Sequence, residues 1–241
     1  MRAKRLFVQV HKWVGLIAAI QVALWMASGL VMSWFPIGEV RGEHNIRAPA
    51  DEVVAAIDLV PLDAATRGAA LKEALLKSVA GRPVWQIAFA DGASALIDAR
   101  DGTRLDPIGE DFARAIAQAD FAGEGSIAEI ALTSNPGIEY RAALPVWRIV
   151  FDDAEKTHLY VSPQTGRVVA RRNAVWRLYD FFWMLHIMDY EAREDFNHPA
   201  IIGFGALGLF LALSGAGLLW WSVLRPLVRR RKQGAEGDGL G

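Results

Sequence analysis

Two stretches of this chain, residues 13–35 and 200–224, carry no charged side chain. A hydrocarbon layer about 30 Å thick is crossed by roughly 20 helical residues, so each stretch is long enough to span it with some tilt. Cations flank both. Arg2, Lys4, Arg5 and Lys12 precede the first, and Arg225, Arg229, Arg230, Arg231 and Lys232 follow the second, with no acidic residue in either cluster. Lysine and arginine mark the cytoplasmic side of a membrane helix, and both ends give the same answer, as a two-span chain requires. The expected order is a cytoplasmic N-terminus over 1–12, transmembrane helix 1 over 13–35, an extracytoplasmic domain over 36–174, an interfacial amphipathic helix over 175–190, transmembrane helix 2 over 199–224, and a basic, partly disordered cytoplasmic tail over 225–241. The first span ends in Trp34-Phe35-Pro36 rather than in a small-residue cleavage site, so it is read as an uncleaved anchor.

Composition narrows the chemistry. The chain has 241 residues, nine of them Trp, and a net charge of −1. Trp13, Trp25, Trp34, Trp220 and Trp221 lie in the spans, mostly near their ends, where the indole bridges lipid and water. The middle of the chain is acidic, so the basic ends speak to membrane orientation and not to nucleic acid. With no cysteine, thiolate nucleophiles, disulfides, iron–sulfur clusters and cysteine-ligated zinc are excluded. No nucleophile elbow, glycine-rich phosphate loop or His-Glu-x-x-His sequence occurs, and no nicotinamide- or flavin-binding module follows the second span.

Between the spans two passages look like copies. Val84-Trp-Gln-Ile-Ala-Phe89 is matched by Val146-Trp-Arg-Ile-Val-Phe151, each alternating in the period of a half-buried strand. Each is followed by a second strand, over 95–98 and 158–161. A glycine turn at Asp101-Gly102 or Thr165-Gly166 then leads to a short third strand. Leu62, Ala69, Leu71, Leu75, Leu76 and Val79 stand at helical spacing, which predicts a helix over 62–80 before the first copy. Before the second, Pro107 marks a first helical turn, continued by Phe112, Ile116 and Ala119. The expectation is an α+β domain made of one helix-plus-antiparallel-strand unit used twice. Acidic pairs such as Asp51/Glu52 and Asp152/Asp153 read as turn and cap residues.

The passage Leu144-Pro-Val-Trp-Arg-Ile-Val-Phe151, with Leu159-Tyr-Val-Ser-Pro-Gln-Thr-Gly-Arg-Val-Val169, resembles a PepSY domain. The opening His11-Lys-Trp-Val-Gly-Leu16 is similar to the start of the PepSY-associated transmembrane family. Phe182-Trp-Met-Leu-His-Ile-Met-Asp-Tyr190 and the Leu213-Ser-Gly215 of the second span resemble that family's later helices. Members with four or more spans include siderophore-iron reductases and fusions to flavin reductase modules, and carry b-type haem between their helices. The resemblance implies a bacterial inner (cytoplasmic) membrane, a periplasmic main domain, and haem b as cofactor. This chain has two spans where those members have more.

Haem b in a membrane takes axial ligands, commonly neutral imidazoles on facing helices. The chain has five histidines. His186 stands in the aromatic stretch 175–190, whose Trp176, Tyr179, Phe182, Trp183 and Ile187 recur at three- and four-residue steps. His198 opens the second span between Asn197 and Pro199, and also fits a helix cap. His11 lies at the cytoplasmic mouth of the first span, where a snorkelling anchor is the plainer reading. These three are the cofactor-binding candidates. His44 and His158 are read as ordinary polar residues of the outer domain. The spans also echo one another: His11, Ser28-Gly29 and Trp34 in the first, His198, Ser214-Gly215 and Trp220 in the second.

One inner and two outer histidines cannot complete two bis-histidine sites in one copy. A haem held by His11 therefore calls for a homo-oligomer or a larger membrane complex. Three functions fit these features: a haem b-binding electron-transfer component of a ferric-siderophore-type reductase system; a regulatory module whose outer domain binds a protein or peptide; and an accessory subunit docked through its glycine-rich helix faces.

Overall fold

The computed structural model describes residues 2–48 and 59–227. The expectations for Asp51/Glu52 and for the tail beyond Leu227 fall outside the described residues. The chain divides into two compact units: residues 35–179, and the helices up to Trp34 and from Asp180 onward.

The second of these units is built on two apolar helices, α1 (Arg2–Trp34) and α6 (Pro199–Leu219). A π-helical turn over Trp220–Leu224 continues α6. Arg5–Trp34 and Pro199–Leu227 each reach a mean hydropathy of 2.0, and only 17% and 6% of their most apolar windows are buried. A core helix of a water-soluble protein would bury most of that surface. Here Ile17, Ile20, Met26, Leu30, Leu209 and Leu213 all stand outward. The helices pack where side chains are small. A Cβ added at Gly15 would meet Leu211 at 3.8 Å and one at Gly217 would meet Phe7 at 3.9 Å, so the backbones come close without clash.

In the unit of residues 35–179, after the short helix α2 (Ile37–Val40), the strands form two antiparallel meanders. β1 (Leu71–Val79), β2 (Arg82–Phe89) and β3 (Ser94–Asp98) make a three-stranded sheet, and β4 (Ile127–Thr133), β5 (Val146–Phe151), β6 (His158–Val161) and β7 (Val168–Arg172) a four-stranded one, both in chain order. The registers correspond. Trp85 faces Leu76 and Ile97, as Trp147 faces Leu132 and Val161. Each first pair carries an irregularity at its start, at Leu71/Glu73 and at Ile127/Glu129.

The helix expected over 62–80 is overturned. Only α3 (Leu62–Thr66) is helical, and Leu71–Val79 is β1. Arg67 and Gly68, at φ 53° and 70°, turn the chain out of the helix through the left-handed region. Ala80-Gly81, at φ 50° and 78°, then supplies the two-residue turn that joins β1 to β2 as a hairpin. A short run of leucines fits both periods, and that turn decides for the strand. β4 was not foreseen either. The strand expected after Asp101-Gly102 shrinks to one bridge, Ile97 to Arg104.

Pro107 is likewise not in a helix: α4 (Glu110–Asp120) starts after Gly109. The reason is local. The Ile108 N–H donates to Pro163 O at 2.7 Å, and Ile108 O accepts from the Trp147 indole at 3.0 Å. Ile108 is thus committed to β5 and to the loop after β6 before the helix can begin. Glu110 and Asp111 place negative charge on the first turn, where the helix dipole favours it. The buried face of α4, Ala113, Ile116 and Ala117, packs on Trp147, Ile149, Phe151, Leu159 and Val161 of the larger sheet and on Val79, Val84 and Leu96 of the smaller. One core thus serves both meanders. Full burial of a side chain such as Ile149 or Leu159 contributes about 2–3 kcal/mol.

The helix expected over 175–190 is α5 (Ala174–Ile187), capped by Asn173, whose Oδ1 accepts from the Trp176 N–H at 2.7 Å.

Candidate functional site

Three helices contribute to one recurring arrangement. In α1, Ser28 is fully buried, and its Oγ stands 3.0 Å from His186 Nδ1 of α5. A Cβ added to the next residue, Gly29, would meet His186 Cε1 at 3.8 Å. In α6, Ser214 is buried, and its Oγ stands 2.6 Å from His11 Nδ1 of α1. A Cβ on Gly215 would meet His11 Cε1 at 3.5 Å. Each imidazole therefore rests on a Ser-Gly step of another helix, with the hydroxyl on its Nδ1 and bare backbone beside its Cε1. Trp25 braces the first of them, its indole donating to His186 O at 2.9 Å.

His198 is placed differently. It is the N-cap of α6, and its Nδ1 accepts from the Ala200 N–H at 3.3 Å. No hydrogen bond joins the three candidate imidazoles to one another among the described residues. His11 and Ser28 stand about 25 Å apart along α1 at 1.5 Å per residue, so His11 and His186 occupy opposite ends of that helix. Among the described residues no group of three or more His, Cys, Asp or Glu side chains converges as a metal site.

The loop after α5 is held by Asp189. Its carboxylate accepts four backbone N–H groups, from Glu191, Ala192, Glu194 and Asp195, at 3.0–3.2 Å. Those donors, the Asp195 N–H first among them, outweigh burial and bring its pKa down to about 2.

The unit of residues 35–179 holds a second polar centre, which sequence reasoning missed. His158 and Tyr160, two residues apart on β6, share one face of the sheet. Glu139 Oε2 accepts from His158 Nδ1 at 2.7 Å and from the Tyr160 hydroxyl at 2.6 Å, while its Oε1 accepts from Arg177 Nε at 2.7 Å. Burial opposes the Glu139 charge, but the donors His158, Tyr160 and Arg177 prevail and hold its pKa at about 2. Burial, with the hydrogen bond to Glu139 next, pushes the Tyr160 phenol well above its usual range. His44, the other histidine of this unit, pairs with Glu155 at 2.9 Å on the surface. Asp152 and Asp153 close turns, accepting from Ser126 and Thr157.

Residues 107–172, from the loop before α4 to the end of β7, match the family described as the peptidase propeptide and YPEB domain. This segment is a PepSY domain. The PepSY domain therefore comprises α4 and the four-stranded meander, and the Glu139 centre lies within it apart from Arg177. No curated protein and no solved structure matches the chain. On the side of the PepSY domain where α4 and the start of β7 meet β1, a groove of about 1060 Å³ is lined by Leu76, Lys77, Ile116, Asp120, Arg167 and Val168, among others. Burial and the neighbouring Arg167 both lower the Lys77 pKa. Asp120 is paired with Arg171.

Proposed function

We propose that this PepSY protein is anchored in the bacterial inner membrane by α1 and α6, with both termini cytoplasmic and the PepSY domain periplasmic. There it serves as a haem b-binding electron-transfer subunit of a ferric-siderophore-type reductase system. The observation that carries this reading is the doubled histidine arrangement. A polar ring set against lipid-spanning helices is costly and is kept for a function, and this chain docks one at each end of α1 by the same device. His186 and His11 are the residues that would hold haem iron, each with its Nδ1 already engaged by a serine, as histidine ligands commonly are. Bound haem b supplies a one-electron iron couple. His198, occupied as a helix cap, is the weakest of the three candidates.

With about 25 Å between the two docking points, His186 and His11 serve separate centres. A haem at either centre would take its second protein ligand from another copy of the chain or from a partner, in keeping with the resemblance to the PepSY-associated transmembrane family. Matching registers of the two meanders also support reading them as two copies of one unit. The deciding experiment is a reduced-minus-oxidised spectrum of the full chain purified in mild detergent from a haem-replete host. The b-type bands are expected, and are lost in His186→Ala. A colourless protein that stays haem-free after supplementation defeats the reading, and a strictly monomeric mass defeats the two-chain ligand set.

A second reading, a non-catalytic accessory or regulatory subunit, is favoured by the groove beside β1. β1 and β7 are edge strands, and an edge beside a groove suits strand addition by a peptide. Stoichiometric recovery of a protein partner from native membranes is its test.

A further inference from the structure

We propose that Ser28 and Ser214 are positioning residues that hold His186 and His11 in the Nδ1–H tautomer, so that each ring offers an unprotonated Nε2 as a ligand to haem iron. The inference rests on the haem reading for what the Nε2 atoms bind, but the assignment of the proton stands on hydrogen-bond accounting alone. A neutral imidazole has one N–H and one lone pair, and a serine hydroxyl has one hydrogen. Ser28 Oγ lies 2.7 Å from Leu24 O and Ser214 Oγ lies 3.0 Å from Leu211 O, each a carbonyl of the serine's own helix. If each hydroxyl donates to that carbonyl, its oxygen accepts the Nδ1–H of the histidine, and every hydrogen in the set has an acceptor.

The opposite assignment fails the same count. A hydroxyl that donated to Nδ1 would leave the ring proton on Nε2. Neither His11 nor His186 has a hydrogen-bond partner at Nε2 among the described residues. An N–H with no acceptor is the costlier of the two defects, since orphaned donors are rarer in folded proteins than orphaned acceptors. The same tautomer results at both ends of α1, on two serines far apart in the chain. Gly29 and Gly215 leave the space beside each ring open: a Cβ added there would stand 3.8 Å and 3.5 Å from Cε1, an ordinary van der Waals contact. His198 is the internal contrast. Its Nδ1 accepts a backbone N–H, which in the neutral ring puts the proton on Nε2.

The test is nitrogen NMR of the full chain, labelled with [15N]histidine, reconstituted in lipid and free of haem. Rings His11 and His186, assigned by their single substitutions, are expected to show a protonated Nδ1 and a non-protonated Nε2. Ser28→Ala is expected to abolish that signature at His186 alone, Ser214→Ala at His11 alone, and Ser28→Thr to retain it. Helical content by circular dichroism shows that the variants fold. A protonated Nε2 in the wild-type chain, or tautomers unmoved by either alanine substitution, overturns the proposal. With haemin added, Ser28→Ala is expected to weaken retention roughly 10- to 100-fold while Ser28→Thr restores it. If haemin is never bound yet the tautomers are as stated, the haem reading fails and the role of the two serines is upheld.

Discussion

Ser28 Oγ lies 3.0 Å from His186 Nδ1, joining two helices across 158 positions of sequence. The contact is matched at the other end of α1 by His11 and Ser214, 203 positions apart. In each pair the residue after the serine is glycine. A side chain longer than a methyl at that step would reach the ring, and this gives a direct test.

Gly29→Leu is expected to dislodge His186, because the added branch must occupy the volume where its Cε1 lies. Gly29→Ala is expected to be tolerated, since the new methyl would meet the ring at 3.8 Å, an ordinary contact. Haem content per chain after haemin supplementation separates them, with near wild-type occupancy for alanine and loss for leucine.

Glu139 gives a pH-dependent prediction. Its folded pKa is depressed from 4.5 to about 2, so it contributes stability that is present above pH 4.5 and is lost as pH falls toward 2. Glu139→Gln is expected to flatten that part of the curve. It should also lower stability at neutral pH by about 3 kcal/mol, because Arg177 and His158 lose their shared carboxylate. Thermal melts of the full chain in detergent between pH 2 and 7 measure both effects. A variant with an unchanged acid limb would show that other groups control it, Asp189 being the first candidate.

Trp147→Phe removes the indole that donates to Ile108 O at 3.0 Å. The buried carbonyl keeps no replacement donor, so a loss of about 1–3 kcal/mol is expected, read as a lower midpoint in denaturant with an unchanged slope.

Lys156 sits exposed in the β5–β6 turn at φ 52°. A lysine in the left-handed region costs about 1–2 kcal/mol, and a glycine there is free of that strain but loses more chain entropy on folding. Lys156→Gly is expected to stabilise by about 0.5–1 kcal/mol and Lys156→Val to destabilise. Equal melting temperatures for the two would contradict the turn conformation.

Much of this architecture is legible in the chain because it depends on local pattern. Absence of charge over a sufficient length marked α1 and α6, and period-two alternation marked β2 and β5. The aromatic steps of α5 and the turn at Thr165-Gly166 are equally local. Where pattern was ambiguous, the reading failed. The leucines of 71–79 satisfy helix and strand alike, and only the left-handed Ala80-Gly81 turn and the pairing with β2 make them a strand. Ile108, which displaces the start of α4 from Pro107, is committed by partners in β5 and after β6 that no local window contains.

The functional centres divide along the same line. Sequence alone supplied the histidines and the two Ser-Gly steps. Tertiary structure decided which ring meets which serine, pairing His11 with Ser214 and His186 with Ser28 while giving His198 to a helix end. It also gathered Glu139, His158, Tyr160 and Arg177 into one partly buried network, which four polar residues spread along a chain could not announce. Length and polarity are summed residue by residue and survive in one dimension. A hydrogen bond between distant residues depends on backbone geometry that exists only once the helices have packed and the strands have found their register.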